Sequence, residues 1–449
     1  MTSDITVPET FREWAYRRRR FRNWMIVGLL YSFFYMTRYN FSALAPTLLG
    51  VFGWTKKDLG IFETLLPLVY GLSVVLNAPL ADRFGGRRAF LFGAAGVVVM
   101  NVVFGLFHLV VISPGHYNWD VSPRGLAWIM AATWAVNGYF QSFGALSIVK
   151  INAQWFHLKE RGTFAGIFGV LIRFGLILAF SGVPFIAKHL PWQWAFFIPA
   201  AFVALLFVLC LLFVKETPAA AGFGELETGD AVHDRGARPS VLVVARKIFT
   251  SRTMWTIALA SMMIGFVRRS VVDAWWPVYF KERLGVGDTD FGYQLTAWGI
   301  AITGIMGGFA FGIASDRAFK GRRAPVITLG FGGMAFALLV FYLSGRLGLG
   351  IFGAAASMLL LSFFVNGAHG MIGGAASMDF GGRQGVATAA GLFDGMQYLA
   401  GAVNGVVIGT ITSDYGWDTW KLWPIPFALI GAVVMSRLWN VLPSSRGGH

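Results

Sequence analysis

Two arginines, Arg38 and Arg268, lie deep inside long apolar segments, where a charged side chain is costly. An arginine at the centre of a membrane-spanning helix costs about 2.5–3.5 kcal/mol even on the mild insertion scale. At the α-helical rise each lies roughly 22 Å along its segment, so both reach comparable depth. A guanidinium forms paired hydrogen bonds to phosphate or carboxylate oxygens. If both face one cavity, the pair predicts a binding site for a divalent oxyanion.

Tyrosines accompany the first arginine. Tyr31, Tyr35 and Arg38 are spaced i, i+4 and i+7, which places them on one face of a helix. Tyr70 lies in the next apolar segment. Their hydroxyl groups are candidates to donate to the same anion. Packing or interfacial anchoring is the equally weighted alternative for tyrosines in such segments.

Arg268 is followed by a second arginine and a carboxylate. Asp273 comes four residues after Arg269 and five after Arg268. In an α-helix, side chains four residues apart are neighbours. The spacing therefore predicts that Asp273 pairs with Arg269 and leaves Arg268 for the ligand. The alternative for any of these arginines is neutralisation by a nearby carboxylate or by backbone carbonyls.

Three further polar residues in apolar segments are candidates for gating or coupling. Arg173 and Asp394 lie at depths about one helical turn apart, so a salt bridge between them is one prediction. A buried pair of this kind strongly resists separation. Alternatively, Arg173 is a third ligand of the anion and Asp394 carries a proton. His369 can titrate near neutral pH, although a lone helical histidine is more often simply hydrogen-bonded.

The apolar segments themselves define the architecture. Of 449 residues, 56% are apolar and only 13% are charged, against roughly 25% charged in a soluble domain. A helix needs about 20 residues to cross a ~30 Å hydrocarbon core. Twelve such segments predict an all-α integral membrane protein with two six-helix bundles, over 23–214 and 251–442. The predicted spans are 23–49, 60–80, 89–111, 126–148, 163–186 and 193–214, then 253–280, 291–314, 325–345, 349–372, 386–411 and 422–442.

The basic residues are concentrated in alternate short loops. The net charge is +15, and the loops with clustered Lys and Arg alternate with loops that are poorer in both. This positive-inside pattern explains the charge without nucleic acid and predicts cytoplasmic termini. The predicted cytoplasmic parts are the basic N-terminus 1–22, a linker over 215–250 and a tail over 443–449. Short loops and the lack of targeting signals favour a bacterial inner membrane.

Sequence matches between the bundles indicate a parallel duplication. Arg38 recurs as Arg268 about 230 residues later, and Val136-Asn137-Gly138 recurs as Val365-Asn366-Gly367. Such a plan places a substrate site at the midplane between the halves.

A repeated loop provides a second feature of the duplication, because Asp82-Arg83 recurs as Asp316-Arg317. An aspartate there can pair with basic side chains or cap a helix N-terminus. We therefore predict a latch at the cytoplasmic helix ends. The alternative, plain basic loops with a turn glycine, leaves the matching aspartates unexplained.

Several stretches carry a resemblance that covers nearly the whole chain. The chain resembles the major facilitator superfamily and, within it, the organophosphate:phosphate antiporter family, which includes glycerol-3-phosphate and hexose-phosphate transporters. The family's two phosphate-binding arginines map onto Arg38 and Arg268, and its site tyrosine onto Tyr70. Two family lysines and a histidine are here Tyr39, Val74 and Ile172. The stretches are Tyr35 to Phe41, Lys57 to Gly60, Lys159 to Gly162, Arg268 to Asp273 and Gly416 to Asp418.

The resemblance implies a secondary active transporter that exchanges a phosphorylated metabolite for inorganic phosphate, as a monomer and without a cofactor. One alternative is proton-coupled uptake of an organic anion, with Asp394, Asp273 or His369 carrying the proton. Another is a transporter-like membrane receptor for a phosphorylated ligand. An enzyme is not expected, because the sequence has no metal-spaced cluster, P-loop or nucleophile elbow.

Overall fold

The computed structural model describes residues 13–156, 161–224, 246 and 248–441. Within its helices, the side chains of 78–83, 146, 149, 153, 161–168, 375 and 378–387 lie outside the description. The described chain is almost entirely helical. Backbone groups in lipid have no water to bond to, so each long apolar run satisfies them internally as a helix.

The N-terminal half contains seven helices and a small antiparallel hairpin. A π-helical turn, Leu178–Gly182, joins two of the helices into one membrane span. The elements are α1 (Trp14–Phe52), α2 (Lys56–Phe84), α3 (Gly86–Leu106), β1 (Val111–Ser113), β2 (His116–Tyr117), α4 (Pro123–Trp155), α5 (Arg161–Ile177), α6 (Val183–His189) and α7 (Trp194–Phe213).

The C-terminal half contains eight helices and two further π-helical turns. The turn Arg268–Val272 follows the first helix of this half, and the turn Met371–Ala376 follows the fifth. The elements are α8 (Arg252–Val267), α9 (Trp276–Leu284), α10 (Phe291–Arg317), α11 (Arg323–Arg346), α12 (Gly350–Gly370), α13 (Ser377–Asp414), α14 (Gly416–Leu422) and α15 (Ile425–Ser436).

These helices make twelve membrane crossings within the described residues, as the sequence predicted. The pairs α5–α6, α8–α9 and α14–α15 each form one crossing. In the part of the chain that the structure describes, nine helical stretches are long and apolar enough to span a membrane by length and composition alone. The other three crossings are α1, α4 and α13, which carry Arg38, Gln141 and Asp394.

Local signals set the ends of several helices. The chain leaves α1 at Gly53, whose φ of 62° suits glycine and whose N–H bonds the carbonyl of Leu49. Pro123 opens α4, and the Ser122 hydroxyl accepts from the Gly125 N–H. At the start of α8, the Ser251 side chain accepts from Met254 N–H in the same way.

Two features of the N-terminal half differ from the predicted spans. Helix α1 begins at Trp14 rather than at Asn23, because its basic turns pack on aromatic rings outside the apolar core. The Arg18 guanidinium lies 5.3 Å from the Trp14 ring centroid. The β1–β2 hairpin was not predicted; it packs at the end of α1, and the Tyr117 hydroxyl there donates to the Phe52 carbonyl.

The halves contact each other most closely along α2 and α13. Gly401, Gly405 and Gly409, which we term the glycine strip, repeat every fourth residue of α13. An added Cβ at Gly405 would lie 2.3 Å from the Thr64 hydroxyl, and one at Gly409 would lie 2.6 Å from the Lys56 carbonyl. Small residues at this spacing allow two helix backbones to approach closely.

Ion pairs and hydrogen bonds join the halves at the end of the spans opposite the termini. Lys56 pairs with Glu282 at 2.8 Å, and Lys57 pairs with Asp414 at 2.8 Å. The structure is therefore closed between the halves at this end.

The predicted latch residues are described only in part. The side chains of Asp82 and Arg83 lie outside the description, so the latch stays a prediction. In the second loop, Asp316 pairs with Arg323 of its own half at 2.7 Å, and Arg317 is exposed.

The N-terminus of α3 is capped by a carboxylate that is distant in the sequence. The Glu216 carboxylate accepts from Gly86 N–H and Arg87 N–H, each at 2.7 Å. A carboxylate at this position complements the helix dipole and ties the start of the linker to the loop after α2. The rest of the linker lies mainly outside the described residues.

Candidate functional site

A small cavity, lined mainly by polar side chains, lies between the two halves. Its wall is formed by Tyr31, Tyr35, Tyr70 and Ala145 of the N-terminal half and by Gly265, Arg268, Arg269, Asp273, His369, Asp394, Gln397 and Tyr398 of the C-terminal half.

Arg38 lies behind this wall rather than on it, with only 2% of its surface exposed. Its guanidinium lies 4.3 Å from the Tyr70 ring centroid and 5.0 Å from that of Tyr35. Nη1 donates to the Tyr398 hydroxyl at 3.2 Å, and Nε and Nη2 donate to Gln141 Oε1 at 3.3 and 3.2 Å. The expectation that Arg38 faces Arg268 across open space is therefore wrong for this conformation, because aromatic side chains cover the cation.

Arg268 does line the cavity, but it already has a counter-ion. Its Nε lies 2.9 Å from Asp273 Oδ2. The prediction that Asp273 pairs with Arg269 is wrong, because these residues form a π-helical turn in which Asp273 N–H bonds the Arg268 carbonyl. The i→i+5 bond widens the turn by one residue, so the carboxylate meets the residue five positions earlier rather than four.

Arg269 is held by a partner from the other half. Its Nη2 lies 3.0 Å from Glu63 Oε2, and both side chains are at least nine-tenths buried. Glu63 Oε1 accepts from the Ser42 hydroxyl at 2.5 Å. Arg269 is thus a component of the contact between α2 and the turn after α8, and its charge is compensated.

Arg173 and Asp394 do not form the predicted salt bridge. Arg173 Nη2 donates to Asn366 Oδ1 at 2.5 Å, and its guanidinium packs against Gly304 of α10. This places Arg173 at the α5–α10 contact between the halves, whereas Asp394 lies on the cavity wall from α13. The hydrogen-bond partner of Arg173 is therefore the neutral amide of Asn366 and not the carboxylate of Asp394.

His369 makes two contacts in the cavity wall. Its Nε2 lies 3.4 Å from Arg268 Nη1, and its Nδ1 lies 2.9 Å from Gln397 Nε2. A guanidinium can only donate, so Nε2 of His369 accepts. Nδ1 then carries the proton of the neutral imidazole and cannot accept from the Gln397 amide group. The hydrogen bond from Arg268 agrees with the hydrogen-bonded alternative for this residue.

Four residues of the site were missed by the sequence reasoning. Gln141 and Tyr398 bind Arg38, Glu63 binds Arg269, and Asn366 binds Arg173. Helical spacing could have identified two of them. Gln141 lies one turn after Asn137, and Tyr398 lies one turn after Asp394, so each shares a helix face with another polar residue. Asn366 also belongs to one of the repeated motifs. Nothing in the sequence connects Glu63 to Arg269.

The arrangement provides fixed cationic and hydroxyl donors around a polar space, which is suited to holding an anion. The guanidiniums of Arg38 and Arg268 come from different halves, and Tyr398, which lines the cavity with Arg268, bonds Arg38. Three tyrosines cover Arg38, and we term them the tyrosine layer: Tyr35, Tyr70 and Tyr398. For an oxyanion to contact both guanidiniums, side chains of this layer must move and Asp273 must release Arg268.

Two six-helix halves around a polar cavity define a multi-pass integral membrane protein that can hold a small ligand between its halves. Residues 27–405 match the model of the Major Facilitator Superfamily. The chain belongs to this superfamily, which confirms the resemblance seen in the sequence and identifies a transporter fold rather than an enzyme.

Individual relatives extend the comparison. A glycerol-3-phosphate transporter of Bacillus subtilis is 28% identical over 95% of this chain and 94% of that protein. The membrane sensor protein UhpC of Salmonella typhimurium is 25% identical over 89% of this chain and 88% of its own. A bacterial homologue of the human lysosomal transporter Spinster, solved in an inward-facing and unoccupied conformation, gives a TM-score of 0.73 at 13% identity, covering 94% of this chain and 97% of that one. The last likeness shows the fold alone.

Proposed function

We propose that the chain is a secondary active transporter that exchanges a phosphorylated metabolite for inorganic phosphate by alternating access. It acts as a monomer in a bacterial inner membrane, with both termini in the cytoplasm. The closed end of the spans then faces the outside, and the cavity is reached from the cytoplasm. The name of the Bacillus subtilis relative supports the substrate class.

The observation that carries the proposal is the state of Arg38. Its guanidinium is buried, and its partners among the described residues are the uncharged groups of Gln141, Tyr398, Tyr35 and Tyr70. A charge removed from water without a counter-ion is unstable. A phosphate supplies the missing negative charge and accepts bidentate hydrogen bonds.

The same state argues for obligate exchange. Alternating access passes through a conformation in which the cavity is sealed from both sides. Sealing an empty cavity would leave the charge of Arg38, which is already buried here, cut off from any counter-ion, whereas a bound anion neutralises it. The empty carrier therefore returns slowly and needs a second anion to cross back.

The test is phosphate counterflow in proteoliposomes loaded with inorganic phosphate. We expect Arg38→Gln to reduce exchange by about 10- to 100-fold, since a hydrogen bond to a charged group contributes about 1.5–3 kcal/mol. Arg38→Lys retains the charge but not the planar fork, so its loss is smaller. Arg124→Gln, at an exposed helix start, is the matched control and keeps full activity. Wild-type exchange rates in Arg38→Gln would contradict the proposal.

Two observations favour other functions. Asp394 forms no ion pair within the described part of the chain, which suits a proton carrier in proton-coupled anion uptake. Uptake driven by a pH gradient without internal phosphate supports that function. The similarity to UhpC keeps a membrane receptor as the third function. Retained phosphate binding without any flux supports the receptor.

A further inference from the structure

Asp394 differs from the other acidic and basic side chains of the cavity wall in having no partner among the described residues. Its neighbours on α13 are engaged: Gln397 donates to Ser261 at 3.0 Å, and Tyr398 accepts from Arg38 at 3.2 Å. Asp394 itself has no hydrogen bond or ion pair with any described residue. It is partly exposed to the cavity.

The arginines around it have partners of their own. Arg268 is paired with Asp273, and Arg269 is paired with Glu63. Asp394 lines the cavity with Arg268 and with Tyr398, whose hydroxyl accepts from Arg38. Asp394 therefore shares its end of the cavity with the groups that would bind an anion.

A free carboxylate there conflicts with a purely anionic ligand. It would repel a phosphate held by the neighbouring arginines, and an ionised side chain within a membrane span is expensive to maintain. Both problems disappear when the ligand carries a cation beside its anionic group, because the ammonium neutralises Asp394 while the arginines bind the oxyanion.

We propose that Asp394 binds a cationic amino group of the substrate, and that the preferred substrates are zwitterions, aminoalkyl phosphates or aminoalkyl phosphonates. The inference rests on the proposed transport of phosphorylated compounds and narrows its substrate class. Among the described charges of the site, Arg38 and Arg173 are cations held by neutral groups, and Asp394 is the unpaired anion on the cavity wall. A dipolar ligand complements both at once.

The aromatic lining suits the same ligand. Tyr31 and Tyr398 line the cavity with Asp394. A tyrosine ring attracts an ammonium group, and the attraction grows when the site excludes water. The carboxylate and the rings thus offer an amine one ion pair and additional cation–π contacts.

The test measures competition against phosphate counterflow with pairs of compounds that differ by one group. 2-Aminoethylphosphonate is compared with n-propylphosphonate, and O-phosphoethanolamine with n-propyl phosphate. We expect the wild-type protein to bind the amine of each pair at least tenfold more tightly. Asp394→Asn is expected to remove this preference by weakening the amines, while the alkyl compounds change less than threefold. Asp120→Asn, in an exposed loop, is the matched control.

Each other outcome has a defined meaning. Equal binding of both members by the wild-type protein overturns the inference and needs no variant. Equal weakening of both members in Asp394→Asn also overturns it, since the carboxylate then only balances the arginines. If the wild-type protein shows no preference for the amines, and Asp394→Asn abolishes the response of uptake to a pH gradient, Asp394 carries a proton and the inference is overturned. If phosphate, glycerol 3-phosphate and all four test compounds fail to compete or exchange, the proposed function itself has failed.

Discussion

The buried arginines of the site have different kinds of partner, and the partner determines what a ligand must displace. Arg38 is held by an amide, a hydroxyl and two rings, whereas Arg268 is held by the carboxylate of Asp273. A ligand oxyanion can join Arg38 without removing a charge. At Arg268 it must compete with Asp273, which is already paired with the guanidinium.

Asp273→Asn removes that competition. We expect phosphate to bind about tenfold more tightly, because a charge-assisted contact of about 1.5–3 kcal/mol no longer has to be broken. The empty protein should unfold several degrees lower, since a buried guanidinium loses its counter-ion. Thermal unfolding in detergent with and without phosphate measures both effects. Weaker phosphate binding in the variant would show that Asp273 orients Arg268 for the ligand.

Spacing identified much of this site but not its pairings. Arg268, Tyr31, Tyr35 and Tyr70 line the cavity, and Arg38, which the helical period placed on one face with Tyr31 and Tyr35, lies directly behind them. The pairing of Asp273 could not be predicted, because a π-helical turn changes which residues are neighbours and has no clear signature in composition. The tyrosine layer over Arg38 depends on how two distant helices meet, which the sequence does not specify.

Among the helices, the contact between α2 and the segment after α8 contains a buried ion pair. Glu63 and Arg269 come from opposite halves and are both buried. The pair can exist only while the halves are together at this end. Separating it would expose two ions to a cavity without partners, so the pair stabilises the closed conformation.

Glu63→Gln should weaken that closure. We expect longer distances between spin labels at Ile112 and Phe291, two exposed positions at the closed end in different halves, measured in a Cys210→Ala background. The charge-swapped variant Glu63→Arg with Arg269→Glu should restore short distances. Asp316→Asn, which breaks a pair within one half, is the control. Unchanged distances in Glu63→Gln would mean that the ion pair does not hold the ends together.

The helices themselves were largely predictable, because a run of about 20 apolar residues has few alternatives in a bilayer. The exceptions lie where lipid does not dictate the structure. Helix α1 extends nine residues outward from Asn23 to Trp14 through arginines stacked on aromatic rings, and the β1–β2 hairpin forms in a loop outside the spans. Neither has the apolar period that located the crossings.

The whole molecule is asymmetric along the membrane normal. Inter-half ion pairs occupy the end opposite the termini, and basic loops occupy the other. The positive-inside rule assigns the basic end to the cytoplasm. In the proposed orientation, the end at which the halves are joined by ion pairs therefore faces the outside.

Fusion reporters test this orientation. Green fluorescent protein attached after His449 should fluoresce, and alkaline phosphatase inserted at Gly115 of the hairpin should be active, because it folds only outside the cytoplasm. The same phosphatase attached after His449 is the control and should be inactive. An active C-terminal phosphatase would reverse the assignment and make the closed end cytoplasmic.

The glycine strip has a mechanical consequence for such a carrier. Where two helices separate and repack in every transport cycle, interdigitated side chains must change rotamer each time, and each change adds to the activation barrier. Where Gly405 and Gly409 lie against Thr64 and Lys56, backbone meets backbone or a short side chain. The two helices can therefore separate and repack there without rearranging long side chains. The rate of turnover then depends on the ion pairs at either side of this contact rather than on the contact itself.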